Sequence, residues 1–235
     1  MSTKVAPLRR WLWRAALLAA LALLALQLWF FGWVLVWRWV DPGETAFMRA
    51  ELARLQEKNP KARLSYQWVD YDRISNQLKR AVISAEDARF TEHEGVDWEA
   101  LQKAYETNLK RGRPARGGST ISQQLAKNLF LSGERSYVRK AQELLITWMI
   151  ELLWDKRRIL EVYLNVVEWG EGVFGAQAAA RYYYGIDAAR LDAERAARLA
   201  AYLPSPRRYG RLRSSPYLDG RTAAILRYMP GTSVP

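Results

Sequence analysis

The chain has 235 residues, half of them hydrophobic and 26% charged, so it can bury a packed core and lacks the composition of a disordered protein. The absence of cysteine excludes a disulfide scaffold, a thiol nucleophile and an iron–sulfur cluster, and one histidine excludes a histidine-rich zinc site. A formal net charge of +12 indicates a polyanionic partner: nucleic acid, an acidic membrane surface or a phosphorylated substrate.

The first predicted element is a membrane-spanning helix. Residues 15–37 form an uncharged apolar run, and about 20 such residues cross a bilayer core of about 30 Å. The run ends in Trp, Val and Leu, which are unlike a signal-peptide cleavage site. Tryptophans flank it on both sides, and basic residues precede it. The positive-inside rule therefore predicts a cytoplasmic N-terminus over 1–14, a transmembrane helix over 15–40 and a periplasmic domain over 41–235.

The region after residue 41 is predicted to be one mainly α-helical domain behind this single N-terminal helix. Apolar periodicity predicts helices at about 44–57, 74–89, 97–110, 120–130, 136–153, 155–167, 173–184, 192–203 and 218–229. Ser136, Asp155 and Asp192 are the predicted N-caps of three of them. The alternating segment 66–70 is the only strand that the pattern predicts.

Glu86 is the first candidate catalytic residue. It follows Leu78 and Val82 at four-residue intervals and precedes Phe90 by four, so a helix would align it with core-facing side chains. Partial desolvation would raise the pKa of Glu86 and make it a useful proton acceptor. Periodicity alone leaves an alternative open, in which Glu86 is a boundary residue paired with Arg89.

Five segments in order carry a recognisable pattern. They are 86–95 (EDARFTEHEG), 117–128 (GGSTISQQLAKN), 139–143 (RKAQE), 156–165 (KRRILEVYLN) and 175–185 (GAQAAARYYYG). This series resembles the motifs of the family 51 peptidoglycan glycosyltransferases, and its second member is highly specific. The resemblance covers about residues 66–210. Without a transpeptidase domain, the chain is similar to the monofunctional, membrane-anchored form.

The resemblance implies a lysozyme-like helical fold and a defined reaction. The family polymerises lipid II, a disaccharide-peptide on a polyprenyl pyrophosphate, by inverting transfer of the growing chain to the 4-hydroxyl of the next lipid II. The expected partners are lipid II, the nascent glycan strand, membrane lipid and other cell-wall synthesis proteins, with no nucleic acid. Leu129, Phe130 and Leu131 are expected to dip into the lipid. The expected location is the bacterial inner membrane.

The resemblance also implies roles for individual residues. Glu86 matches the catalytic carboxylate that serves as the base, and Glu143 matches a second essential acid beside the pyrophosphate. The expected substrate-binding residues are Asp87, Arg89, Phe90, Ser119, Thr120, Gln123, Gln124, Lys127, Arg135, Arg139 and Lys140. Asp87 is expected to support the site by hydrogen bonding instead of reacting. No dedicated metal cage is visible, and Mg²⁺ or Mn²⁺ near Glu143 is the only cofactor considered.

Two other function classes stay open. One is a membrane-anchored, lysozyme-like murein hydrolase, and the other is a non-catalytic scaffold of the cell-wall machinery. A hydrolase must protonate a poor sugar leaving group and therefore needs a general acid. A pyrophosphate leaves as a stable anion, so a transferase of this kind needs no strong acid. Without the motifs, the basic residues would fit a solvated face and Glu143 would fit ordinary helix ion pairs.

Overall fold

The computed structural model covers most of the chain. It describes residues 5–111, 118–131, 136–212 and 214–235. Arg135, a predicted substrate-binding residue, lies outside the described residues. The chain divides into two compact units, one ending at Val40 and the other beginning at Asp41.

The first unit is dominated by one helix, α1, Val5–Val36. Its stretch Arg9–Val36 has 28 residues and is the one described helix long and apolar enough to cross a membrane. Length and composition of this kind suit a membrane anchor, and a signal sequence shares them. The helix ends before residue 40, the predicted end of the span, because the backbone turns directly after Val36.

Helices also make up most of the second unit. In its described residues they are α2 Ala46–Lys58, α3 Asn76–Glu86, α4 Trp98–Arg111, α5 Ile121–Phe130, α6 Tyr137–Leu153, α7 Lys156–Val166, α8 Ala176–Tyr184, α9 Ala193–Tyr202, α10 Pro206–Leu212 and α11 Pro216–Tyr228. The predicted mainly α class is confirmed, and the arrangement suits a lysozyme-like domain. α10 was not predicted, because its seven residues are rich in arginine and carry no apolar periodicity.

Local side-chain hydrogen bonds start several of these helices. Ser136, Asp155 and Asp192 each accept a hydrogen bond from a backbone N–H three residues on, so all three predicted N-caps are confirmed. Thr120 and Gln123 form a reciprocal capping box at the start of α5. The two hydrogen-bonding residues of each cap lie within one helical turn. The sequence alone can therefore predict where these helices begin.

A small sheet accompanies the helices. Its strands are β1 Ser65–Tyr66, β2 Glu168–Gly170 and β3 Val173–Phe174, in the order β1-β3-β2. β1 runs parallel to β3, with Ser65 opposite Val173, and β2 runs antiparallel to β3. The prediction that 66–70 held the only strand is wrong.

The β2–β3 hairpin was not predicted because its sequence lacks the usual signs of strands. Gly172 turns the chain between the strands at φ 69°, and Gly175 precedes α8 at φ 83°, a left-handed conformation that favours glycine. β2 and β3 are fully buried, so they show no polar–apolar alternation. The helix predicted from residue 173 therefore begins at Ala176 instead.

The core of the second unit lies around α5 and α7. α5 packs against α2, α6 and α7. Buried side chains along α5 include Ile121, Leu125 and Leu129. Since Leu129 belongs to this core, the prediction that it enters membrane lipid is wrong, whereas Phe130 and Leu131 are half-buried. α3 packs against α9 and α11, which brings the end of α3 next to both α5 and α11.

Candidate active site

Glu86 is the last residue of α3, and its side chain is 12% exposed. One carboxylate oxygen, Oε2, accepts a hydrogen bond from Gln124 Nε2 at 3.0 Å. The other, Oε1, accepts one from Arg221 Nη2 at 3.0 Å. α5 and α11 therefore hold this carboxylate from two sides, and Glu86 does not make the alternative pair with Arg89.

The surroundings of Glu86 favour its acting as a base. Burial raises the pKa of Glu86, while the bond from Gln124 and the charges of Arg221 and Lys127 lower it to a smaller extent. A carboxylate with a raised pKa is a stronger proton acceptor than an exposed one. The sequence-based expectation of a desolvated Glu86 is thus met by the geometry.

A buried tyrosine fixes the orientation of Gln124. The Tyr163 hydroxyl donates to Gln124 Oε1 at 3.0 Å, which directs the amide NH₂ toward Glu86. Tyr163 is fully buried, and burial raises its pKa well above the ordinary value, so it remains a hydroxyl donor. Tyr163 therefore donates to Gln124, which in turn donates to Glu86.

Asp87 caps the end of α3 and joins it to α5. Its Oδ2 accepts from the Ile121 backbone N–H at 3.0 Å. Its Oδ1 lies 2.9 Å from His93 Nε2. The Gly95 N–H donates to His93 Nδ1, so Nε2 carries the proton and donates to Asp87. Both oxygens of Asp87 are used within the protein, which fits the expected supporting role.

Arg89 and Phe90 are occupied by other contacts. The Arg89 guanidinium donates to both oxygens of Asp97, at 3.1 and 2.5 Å, and also pairs with Glu99. Phe90 is fully buried, with Lys156 Nζ 4.8 Å from its ring centroid. The prediction that Phe90 contacts substrate is therefore wrong, because its ring is fully buried.

The polar residues at the start of α5 divide into buried and exposed ones. Thr120 and Gln123 are buried in the capping box, and the Thr120 hydroxyl also donates to the Gly95 carbonyl at 2.6 Å. They position α5, and the prediction of direct substrate contact is corrected for both. Ser119 is exposed, and its Oγ lies 3.5 Å from Lys140 Nζ. Ser119 thus stays available to a ligand.

Glu143 forms ion pairs with two cations of its own helix, α6. Its carboxylate is buried and accepts a hydrogen bond from Arg139 Nη1 at 3.0 Å and another from Lys140 Nζ. These contacts are the i+4 and i+3 helix ion pairs that the sequence offered as the alternative reading of Glu143. Because Glu143 holds both side chains from one face of the helix, their remaining N–H groups are oriented together.

Lys127 on α5 interacts electrostatically with both Glu86 and Glu143. Burial lowers the pKa of Lys127, and the charges of Glu143 and Glu86 raise it in part. Within the described ranges, its ammonium makes no hydrogen bond or ion pair. A half-buried cation that no described residue pairs with suits the binding of an anion from outside.

The described residues do not fit a divalent ion near Glu143. Both of its oxygens are engaged by Arg139 and Lys140, and Lys127 lies close enough to interact with it. A second set of acidic and histidine side chains, Asp87, His93 and Asp97, has ligand atoms within 4.8 Å of one another. Those atoms are already bonded to each other or to Arg89. The expected Mg²⁺ or Mn²⁺ near Glu143 is not supported by this geometry.

Arg221 and Tyr163 are the site residues that the sequence did not reveal. Arg221 lies on α11, outside the five motif segments, and 135 residues separate it from Glu86. One signal was present: it follows Leu218 by three and so shares the helix face that buries Leu218 and Ile225. Tyr163 lies within the fourth segment, where it was assigned no role.

Comparison with known proteins identifies the class. A family model described as Transglycosylase matches residues 52–230, and the chain belongs to that family. The protein named biosynthetic peptidoglycan transglycosylase from Dechloromonas aromatica (strain RCB) is 59% identical over 229 residues, which cover 97% of this chain and 99% of that protein. Its namesake from Janthinobacterium sp. (strain Marseille) is 58% identical over 233 residues, with 97% and 99% covered. The namesake from Azoarcus sp. (strain BH72) is 64% identical over 203 residues, with 86% and 87% covered.

Proposed function

We propose that the chain is a membrane-anchored peptidoglycan glycosyltransferase that polymerises lipid II into glycan strands. The observation that carries this proposal is a desolvated, doubly hydrogen-bonded Glu86 close enough to interact electrostatically with Lys127, a cation that has no bonding partner among the described residues. One supplies a base and the other receives an anionic leaving group. The relatives are named biosynthetic peptidoglycan transglycosylases, which supports the same reaction.

Glu86 is the general base in this mechanism. It takes the proton of the acceptor's 4-hydroxyl while that oxygen attacks the anomeric carbon of the growing chain. The new bond joins the hydroxyl oxygen to the anomeric carbon on the face opposite the leaving group, so the configuration inverts. The bond from that carbon to the pyrophosphate oxygen breaks, and its electron pair leaves with the polyprenyl pyrophosphate. The raised pKa of Glu86 suits this proton transfer.

The cations on α5 and α6 bind the pyrophosphate. Lys127 acts as a point charge, Arg139 can grip two phosphate oxygens, and Lys140 lies beside the exposed Ser119 hydroxyl. Glu143 is a positioning residue, because it holds Arg139 and Lys140 from behind. Arg135 joins this group by family resemblance alone. Because the protein supplies this positive charge, no divalent ion is included in the mechanism.

Membrane contact is part of the proposal. α1 is the membrane anchor, with its candidate span at Arg9–Val36, and the basic N-terminus favours a cytoplasmic side before it and a periplasmic domain over 41–235 at the bacterial inner membrane. The second unit also exposes large apolar side chains on two of its helices. On α4 and α6 they are Trp98, Leu101, Tyr105, Leu109, Tyr137, Val138, Leu145, Trp148 and Leu152. These helices would meet lipid and the polyprenyl tail.

A hydrolase is the weaker alternative. It would need a carboxylic acid free to protonate a sugar oxygen. In the described part of the site, the second carboxylate, Glu143, has both oxygens occupied by cations. That arrangement suits the binding of an anion and does not suit acid catalysis.

The test uses the purified full chain in detergent or liposomes with labelled lipid II. We expect long glycan strands from the wild type and none from Glu86→Gln. Glu92→Gln is the matched control, because Glu92 is exposed in the same segment. Polymerisation by Glu86→Gln at the wild-type rate would contradict the proposal. Release of sugars from finished glycan, with no polymer formed from lipid II, would also contradict the proposal and would favour the hydrolase.

A further inference from the structure

We propose that Arg221 of α11 is a positioning residue for the proton transfer, one that aims the Glu86 carboxylate and holds its negative charge ready between turnovers. This inference rests on the proposed function, in which Glu86 is the base. It concerns a residue outside the five motif segments.

The geometry ties Arg221 to the end of α3. Its Nη2 donates to Glu86 Oε1 at 3.0 Å and lies 3.4 Å from the carbonyl oxygen of Ala85. One guanidinium nitrogen thus bridges the carboxylate and the last turn of the helix that carries it. The Arg221 side chain is only 26% exposed, so solvent screens the contact weakly.

α11 presents Arg221 from a fixed position. The helix buries Leu218, Thr222 and Ile225 and packs against α9 and α3. A Ser215 N-cap and a proline in the first turn set its start. Arg221 therefore approaches Glu86 from a rigid element, which limits the directions in which the carboxylate can point.

The charged and titratable groups around Glu86 come from three helices. Arg221 faces it from α11, Lys127 from α5 and Tyr163 from α7. Tyr163 is neutral, and Lys127 interacts with Glu86 without bonding to it. Among the residues that the structure describes, Arg221 is the one cation hydrogen-bonded to Glu86. When a pyrophosphate engages Lys127, Arg221 is the countercharge that remains.

Each turnover places a proton on Glu86, and the next turnover requires its loss to water. A cation beside the carboxylate disfavours the protonated form and so promotes that loss. Arg221 lowers the pKa of Glu86 against the effect of burial. Without a positive charge at position 221, Glu86 would stay protonated over a wider range of pH. The protonated form cannot act as a base.

The experiment measures the pH profile of lipid II polymerisation for the wild type, Arg221→Gln and Arg221→Lys. The matched control is Arg227→Gln, because Arg227 is exposed on the same helix. For Arg221→Gln we expect the acidic limb to move to higher pH. On that limb kcat falls roughly tenfold or more, and it recovers toward the wild-type value at alkaline pH. KM changes little, Arg221→Lys restores part of the limb, and Arg227→Gln matches the wild type.

A loss by the same factor at every pH, in an Arg221→Gln protein with native circular dichroism and melting temperature, would overturn the inference. If Arg221→Gln fails to fold, the Arg221→Lys profile decides, and a loss by the same factor at every pH there would overturn the inference too. Failure of the wild type and Arg227→Gln to polymerise lipid II would instead overturn the proposed function. The two failures are therefore distinguishable.

Discussion

Asp87 and Ile121 join the end of one helix to the start of another: Asp87 Oδ2 accepts the Ile121 backbone N–H at 3.0 Å. α3 ends on Glu86 directly before this contact, and α5 carries Gln124 and Lys127 directly after it. The bond therefore sets the spacing between the base and the cation that is proposed to bind pyrophosphate.

Asp87→Asn should weaken both the fold and the activity. An asparagine offers one acceptor oxygen, so it cannot satisfy Ile121 and His93 together. Because the carboxylate is buried, we expect the free energy of unfolding to fall by about 2 kcal/mol and polymerisation to slow. Chemical denaturation and the lipid II assay measure the two effects. Glu94→Gln, exposed in the same segment, is the control, and an Asp87→Asn protein of wild-type stability would disprove the prediction.

Lys127→Met should separate stability from function. The half-buried ammonium has no bonding partner in the described structure, so its removal should leave the melting temperature unchanged or raise it. Polymerisation should fall by roughly tenfold or more, because a charge-assisted contact to the pyrophosphate is lost. Lys58→Met, at an exposed position of α2, controls for the loss of a surface lysine. A fall in both melting temperature and activity would show that Lys127 is structural.

Glu168 should make the stability depend on pH. Burial raises the pKa of Glu168 to about 7, although the hydrogen bond from Arg207 lowers it. A carboxyl group with a raised pKa binds its proton more tightly in the folded state than in the unfolded one. The free energy of unfolding therefore decreases as pH rises from about 4.5 to about 7. We expect a contribution of about 3 kcal/mol over that window.

Denaturation at about pH 5 and about pH 8 measures this difference. Glu168→Gln should flatten it, because glutamine does not titrate. Glu57→Gln, exposed on α2, should retain the wild-type dependence. If Glu168→Gln keeps the full difference between the two pH values, another group is responsible.

The exposed apolar face of α6 should meet lipid. Because the chain has no cysteine, Leu152→Cys gives a single labelling site. We expect an environment-sensitive fluorophore there to shift to shorter wavelength in liposomes and to be quenched by lipid-borne quenchers. The same label at Glu194→Cys, exposed on α9, should not respond. Equal responses at both sites would argue against a specific lipid-facing surface.

The features that sequence could predict are those set within a few residues. The caps Ser136, Asp155 and Asp192 each bond three residues on, and the pairing of Glu143 with two cations lies within one helical turn. Helical periodicity also predicted that Glu86 is largely buried.

The features that sequence could not predict depend on contacts between distant segments. Arg221 reaches Glu86 across 135 residues, and no local pattern encodes that meeting. Phe90 is buried beside Lys156, which belongs to a distant segment. The hairpin from Glu168 to Phe174 is short and buried on all sides, so its residues resemble those of a buried helix.

α10 has a consequence for how the domain opens. A helix of seven residues is unstable alone, so α10 depends on its neighbours. Arg207 binds Glu51 and Glu168, and a Cβ on Gly210 would lie 3.4 Å from the Cα of Gly170, so α10 approaches β2 closely. We expect the amide hydrogens of α10 and of the β2–β3 hairpin to exchange with solvent together. Mass-spectrometric hydrogen exchange would then find them as one unit that opens before the α5–α7 core.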